Sequence, residues 1–114
     1  MIDHLAFVVN DPEKTAVMLA KFGYRVTRRT PHHGGSVEVE SDAQPGLILE
    51  LCTKREQDSL GFNHVCMRLA GQEAFDALEA GGMSFNKAPH LSPDSGRYIT
   101  NHIDEDGIKW QVTF

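Results

Sequence analysis

Two stretches of this chain, about 60 residues apart, read as copies of one another, and each carries a His near its start and an amide or carboxylate near its end. The first runs Ile2-Asp3-His4-Leu5-Ala6-Phe7-Val8-Val9 and later Leu47-Ile48-Leu49-Glu50-Leu51. The second runs Phe62-Asn63-His64-Val65-Cys66-Met67-Arg68-Leu69 and later Ile108-Lys109-Trp110-Gln111-Val112. His4 and Glu50 are 46 positions apart, His64 and Gln111 are 47 apart, so four candidate metal ligands recur with near two-fold symmetry.

The elements that must position them follow from local pattern. Residues 2 to 9 are rich in β-branched and aromatic side chains and read as a strand. Asn10-Asp11-Pro12-Glu13 supplies a helix start, with Asn10 or Asp11 as cap and Pro12 in the first turn, and the helix is expected to run to about Phe22, where Gly23 marks its end. Strand-like segments follow at Tyr24 to Thr30, Ser36 to Glu40 and Gly46 to Thr53, giving β-α-β-β-β. A polar connector spans 54 to 61. The second round predicts a strand from Phe62, a helix from about Gln72 to Glu79, then strands near Met83 to Lys87, Arg97 to Ile103 and Ile108 to Phe114, with Asp106-Gly107 as a hairpin turn.

Alternation sorts the side chains of the four repeat-related strands onto two faces. One carries Leu5, Phe7, Val9, Leu47, Leu49, Leu51, Val65, Met67, Leu69, Ile108, Trp110, Val112 and Phe114, and is expected to pack under the helices as the core. The other carries His4, Glu50, His64 and Gln111 together with Ala6, Cys52, Cys66 and Thr113. A lone His on a strand is more often structural or solvated than a ligand. Four candidate ligands on one face, flanked by small residues, point instead to a concave cup with room for a bound molecule.

Composition narrows the class. The 114 residues fit one compact domain or two small halves sharing a core, and 40% hydrophobic content is that of an ordinary globular protein rather than a disordered one. A net charge of −5 argues against general binding to nucleic acid or anionic membranes. No apolar run approaches the roughly 20 residues of a bilayer span, and the start lacks the pattern of a signal peptide. The two cysteines, Cys52 and Cys66, lack the spacing of a zinc or redox motif, so a reducing cytoplasm is the expected location.

The pattern resembles the glyoxalase, bleomycin-resistance and extradiol-dioxygenase superfamily, the vicinal oxygen chelate proteins, over essentially the whole chain. The residues that carry the resemblance are Ile2-Asp3-His4-Leu5, Leu49-Glu50-Leu51, Phe62-Asn63-His64-Val65 and Asp104-Glu105-Asp106-Gly107-Ile108-Lys109-Trp110-Gln111-Val112. That last segment departs from the family pattern, with Glu105 where a proline is typical and Gln111 where a glutamate is typical.

The resemblance implies an α+β fold in which two βαβββ modules form a curved mixed sheet, here a single domain over 1–114 with module one at 1–53, the connector at 54–61 and module two at 62–114. It implies a divalent metal held by His4, Glu50, His64 and Gln111. Two imidazoles with oxygen donors suit Zn, Ni, Mn, Co or Fe without selecting among them. Cys52 and Cys66 are expected to be small filler in the cup. Gln111 leaves one carboxylate on the ion, and Glu50 is then the only matching residue able to act as a base unless it is a fixed ligand, in which case His102 is a substitute. Arg97 stands where relatives hold a substrate-contacting basic residue; a surface charge at a strand edge is the competing reading. His32, His33 and His90 lie in loops and are expected to be exposed, with His32-His33 able to bind stray metal.

Three functions remain open. The leading one is a metal-dependent lyase or isomerase of glyoxalase type acting on a small oxygenated substrate. The second is a non-haem iron ring-cleaving dioxygenase, because His4, His64 and Glu50 also make a two-His, one-carboxylate set. The third is a metal-free binding protein that sequesters a drug or metabolite. A homodimer is expected from exposed sheet edges, and no loop motif identifies the substrate.

Overall fold

The computed structural model describes residues 1–114, in the order β1 (Ile2–Val9), α1 (Pro12–Ala20), β2 (Tyr24–Thr30), β3 (Ser36–Ser41), β4 (Ile48–Thr53), β5 (Gly61–Arg68), α2 (Gln72–Ala80), β6 (His90–Ser92), β7 (Arg97–Ile103) and β8 (Lys109–Thr113). All eight strands form one mixed sheet in the order β2-β3-β4-β1-β5-β8-β7-β6. The architecture is α+β and two-fold in pattern. β1 pairs in parallel with β4, β5 pairs in parallel with β8, and β1 and β5 join the halves antiparallel at the centre.

Local chemistry sets the first helix. Asp11 caps it by accepting from the Lys14 amide at 3.1 Å, and Pro12 occupies the first turn, where no intrahelical donor is required. The helix stops at Ala20, two residues short of expectation. Lys21, Phe22 and Gly23 instead form tight turns back onto Met18, Leu19 and Ala20, and Gly23 takes φ +90°, a region open chiefly to glycine.

The second strand of the second half departs from the sequence expectation. Residues 83–87 make no strand. Phe85 packs on Phe75 of α2 with ring centroids 4.8 Å apart, and only isolated bonds, such as the Asn86 amide to the Asn101 carbonyl, tie the segment to β7. The edge strand is His90–Ser92, beyond Pro89.

Burial also differs from expectation. The helix-side face is half-buried at Leu5, Phe7, Val9, Leu49, Val65 and Met67, and Phe62 and Trp110 are exposed. Two helices of nine residues, each about 14 Å long, cannot cover eight strands. A core does form there around Ala16, Val37, Val39 and Leu51, and a second cluster joins Phe75, Phe85, Phe114 and Tyr98. The opposite face is the more deeply buried one: Ala6, Val8, Cys52, Cys66, His4, Glu50 and Thr113 are all nearly inaccessible.

The reason is curvature. β7 stands five strand spacings from β3, about 24 Å in a flat sheet at ~4.8 Å per strand, yet Arg97 of β7 bonds Glu38 of β3 at 2.9 and 3.1 Å. The sheet therefore curls until its two wings meet over the face that carries His4, Glu50 and His64.

Candidate metal centre

His4 of β1, Glu50 of β4 and His64 of β5 come together inside this cup, with one ligand atom from each lying within 4.8 Å of the others. The strand register explains the convergence. Ala6 faces both Glu50 and His64 across its two neighbouring strands, so the three side chains flank one point on the concave face.

Each His sits beside a break in the strand pairing. Between Ile2 and His4, and again between Phe62 and His64, the β1–β5 register shifts, leaving Asp3 and Asn63 as the extra residues. Such bulges turn a side chain off the alternating pattern. Asp3 and Asn63 consequently lie against the rings next to them: His4 Nδ1–H donates to Asp3 Oδ1 and His64 Nδ1–H donates to Asn63 Oδ1, both at 2.7 Å.

That pair of bonds fixes both tautomers. Each ring, when neutral, has one donor and one acceptor nitrogen, so with Nδ1–H engaged both Nε2 atoms present lone pairs. They face each other at 3.1 Å. Two lone pairs at that distance repel unless a proton or cation lies between them. Burial, and then the neighbouring His4, push the His64 imidazole down to about 2, so His64 itself carries no proton at Nε2 near neutral pH. Two imidazole nitrogens on one ion, at about 2.0–2.1 Å each and roughly 90–110° apart, stand roughly 2.8–3.4 Å from each other, so the spacing fits a shared metal.

Glu50 completes the triad and is firmly held. Its Oε1 accepts from the Cys52 thiol at 3.4 Å and its Oε2 from Arg97 Nη1 at 3.2 Å. Gln111 is buried on the same face, and its Nε2 donates to Asn101 Oδ1 at 3.1 Å, leaving Oε1 without a partner. Gln111 and His64 line one polar cavity of about 310 Å³. These residues could hold a divalent ion. Burial pushes both Cys52 and Cys66 thiols up to about 12, so both are protonated in the metal-free chain, although Cys66 lies with Asp3 and His4 in a second group able to hold an ion.

Arg97 is buried inside the cup, where the two wings of the sheet meet, rather than on a strand-edge surface. Its side chain is 12% exposed and bonds Glu38, Glu50 and, at 3.3 Å, Asp3. Arg28 adds a bond to Glu38 at 2.8 Å, and Arg68 pairs with Asp3. Burial pushes Glu38 upward, but the bonds and charges of Arg97 and Arg28 outweigh it and hold the carboxyl below its ordinary value. Three carboxylates and three guanidiniums thus balance beneath the imidazoles.

His102 lies elsewhere. It pairs across β7 and β8 with Trp110, on the helix side, where its Nδ1–H donates to the Ser84 carbonyl at 2.7 Å and it lines an apolar cleft with Met67 and Trp110. His32, His33 and His90, expected to be exposed in loops, instead line the cavity beside His64 and are each partly buried. His33 takes a left-handed backbone (φ 53°), its Nε2 accepts from Arg55 at 2.8 Å, and its Nδ1 is buried without a partner.

Sequence reasoning missed Glu38, Asp3 and Asn63. Strict alternation in Ser36-Val37-Glu38-Val39-Glu40 places Glu38 opposite Glu50 and was a usable signal. The other two depend on bulges. Their presence was signalled only by the repeated acid-or-amide before each His.

The fold is shared with solved structures. A methylmalonyl-CoA epimerase from Streptomyces coelicolor, in complex with 2-nitronate-propionyl-CoA, superposes with a TM-score of 0.77 at 18% identity, covering 99% of this chain and 92% of that one. A methylmalonyl-CoA epimerase from Mycobacterium tuberculosis gives 0.81 at 11% identity over 98% and 85%. A hypothetical protein from Bacillus halodurans C-125 gives 0.79 at 12% identity over 99% and 92%. At these identities the likeness is one of fold. No curated protein matches the chain significantly by sequence. The family model for the Glyoxalase/Bleomycin resistance protein/Dioxygenase superfamily matches residues 1–112, and the chain belongs to that superfamily.

Proposed function

We propose that this chain is a divalent-metal-dependent lyase or isomerase of glyoxalase type that acts on a small oxygenated substrate. The observation that carries the reading is the pair of tautomer-fixed imidazoles whose free Nε2 atoms meet at 3.1 Å beside a buried carboxylate. His4, Glu50 and His64 are the protein ligands, with Gln111 Oε1 as the fourth, and Zn, Ni, Mn, Co and Fe all suit the donor set. A bound ion would polarise an oxygen of the substrate and acidify the neighbouring C–H or O–H.

The chain's own groups divide the remaining work. Glu50, held by Arg97 on one oxygen and the Cys52 thiol on the other, serves as a fixed ligand. Asp3 and Asn63 orient the two rings. The group free to move a proton is His32, which lines the cavity, has no hydrogen bond to its ring and is held toward its neutral form chiefly by burial. The similarity in fold to epimerases supports an isomerase-type reaction.

The set of two imidazoles and one carboxylate also favours a second reading, a non-haem iron dioxygenase. A homodimer in the cytoplasm is part of the proposal. Two apolar clefts on the helix side, one lined by Phe7, Met18, Leu49 and Leu60 and the other by Met67, Met83 and Trp110, support burial of that side by a second copy.

The test is metal content of protein purified without chelator, beside a His64→Ala variant, followed by a metabolite screen with the loaded protein. One equivalent of metal in the parent and none in the variant is expected. Unchanged metal in the variant sinks the assignment, and iron with oxygen consumption moves it to the dioxygenase.

A further inference from the structure

The cavity beside His64 and Gln111 is small and lined almost entirely by polar and charged residues. Its volume of about 310 Å³ is at the low end of the ~300–1,000 Å³ usual for ligand pockets, and Ile99 is its only hydrophobic lining residue. Charge is distributed unevenly around it. Arg55, Lys87 and Lys109 line the cavity, against a single acid, Asp58. Asp58 is already engaged, taking bonds from the Arg55 guanidinium at 3.1 and 3.3 Å and lying 3.6 Å from His33 Nε2. Lys87 and Lys109 have no acidic partner, in a chain whose net charge is −5.

Both lysines are anchored at their backbones. Lys109 pairs with His64 in the β5–β8 register, which places it on the same face one strand away. The Lys87 carbonyl accepts from Thr100 Oγ1 at 2.5 Å, and the preceding Asn86 bonds β7 through its amide. Beneath them the acids Asp3, Glu38 and Glu50 are matched by Arg28, Arg68 and Arg97. The potential inside the cavity is therefore set by the two ammonium groups.

We propose that the substrate class is a small organic dianion, a dicarboxylate or a phosphorylated hydroxy acid, whose end distal to the metal-binding residues is held by Lys87 and Lys109. This rests on the glyoxalase-type reading for the site but makes a separate claim. A coenzyme A thioester exceeds the cavity, so a substrate of that size would lie mostly outside it and leave the two lysines to one end of the molecule.

The experiment titrates the full-length protein, metal-free and Mn²⁺-loaded, with malonate, with its uncharged analogue malonamide, and with acetyl-CoA, following amide chemical shifts and heats. Malonate should bind in both forms and malonamide at least tenfold more weakly. Lys87→Met and Lys109→Met should each weaken malonate roughly threefold to tenfold, the range of a partly exposed charged contact, without changing the melting temperature. Binding of malonamide equal to that of malonate, indifference to both substitutions, or acetyl-CoA binding more tightly with the same lysine dependence would overturn the assignment. Mn²⁺ uptake is read separately. Failure to take up metal refutes the glyoxalase-type reading, whereas lysine-dependent malonate binding to the metal-free form still decides this one.

Discussion

Arg97→Met removes the guanidinium from the cup while keeping most of the aliphatic stem. Arg97 bonds Glu38 twice, Glu50 once and Asp3 once, and its side chain is 12% exposed. Removing one partner of a buried ion pair costs roughly 3–5 kcal/mol. Two of the three acids keep a second arginine, Arg28 for Glu38 and Arg68 for Asp3, whereas Glu50 keeps only the Cys52 thiol. The lower end of the range, about 3 kcal/mol, is therefore expected. At an m-value of ~1.5 kcal/mol per molar urea, the midpoint should fall by about 2 M, measured with chelator present so that metal does not contribute.

The pH dependence has a definite sign. Glu38 is held below its ordinary value in the folded chain, so its pairing contributes stability that is fully present above the unfolded-state value and is lost as pH falls through the folded-state value. The substitution removes much of that depression. The gap between parent and variant should be widest near pH 7 and narrow below about pH 4.5, and Glu50→Gln in the variant background should recover part of the loss. A midpoint change under about 0.5 M, or a gap that stays constant from pH 7 down to about pH 3, well below the unfolded-state value, would rule this out.

Asp3→Asn weakens the partner that orients His4, and metal affinity measured by competition with a chromophoric chelator should drop about 10- to 100-fold; an unchanged constant would remove Asp3 from the site. Phe75, 3% exposed and packed on Phe85 and Phe114, should cost roughly 3–5 kcal/mol on substitution by Ala, read by urea denaturation. Metal at 100 times its dissociation constant should stabilise the parent by about 2.7 kcal/mol and leave Glu50→Ala unmoved in the same thermal melt.

Much of the site was legible because duplication and alternation act together. Asp3-His4-Leu5 and Asn63-His64-Val65 announce the same strand twice, and a period of two puts His4, Glu50, His64 and Gln111 on one face whatever the loops do. What was not legible depends on curvature and bulges. The face that carries His4, Glu50 and His64 became the more buried one because the sheet curls until Arg97 reaches Glu38, and no strand pattern encodes a contact across four intervening strands. Asp3 defies alternation because the register shifts there. His32 and His33 look like solvated loop residues in sequence, yet the turn after Pro31 folds them over the cavity. The segment 83–87 carries strand-like side chains, but Phe85 is committed to Phe75, and the edge strand forms beyond Pro89 instead.

X-ray absorption at the cobalt edge of Co²⁺-loaded protein tests most directly whether both halves of the repeat hold one ion. A shell of nitrogen and oxygen neighbours at about 2.0–2.2 Å is expected, with imidazole multiple scattering from two rings, reduced to one ring in His64→Ala and in His4→Ala. A sulfur shell near 2.3 Å, or an imidazole signal untouched by either substitution, would contradict it.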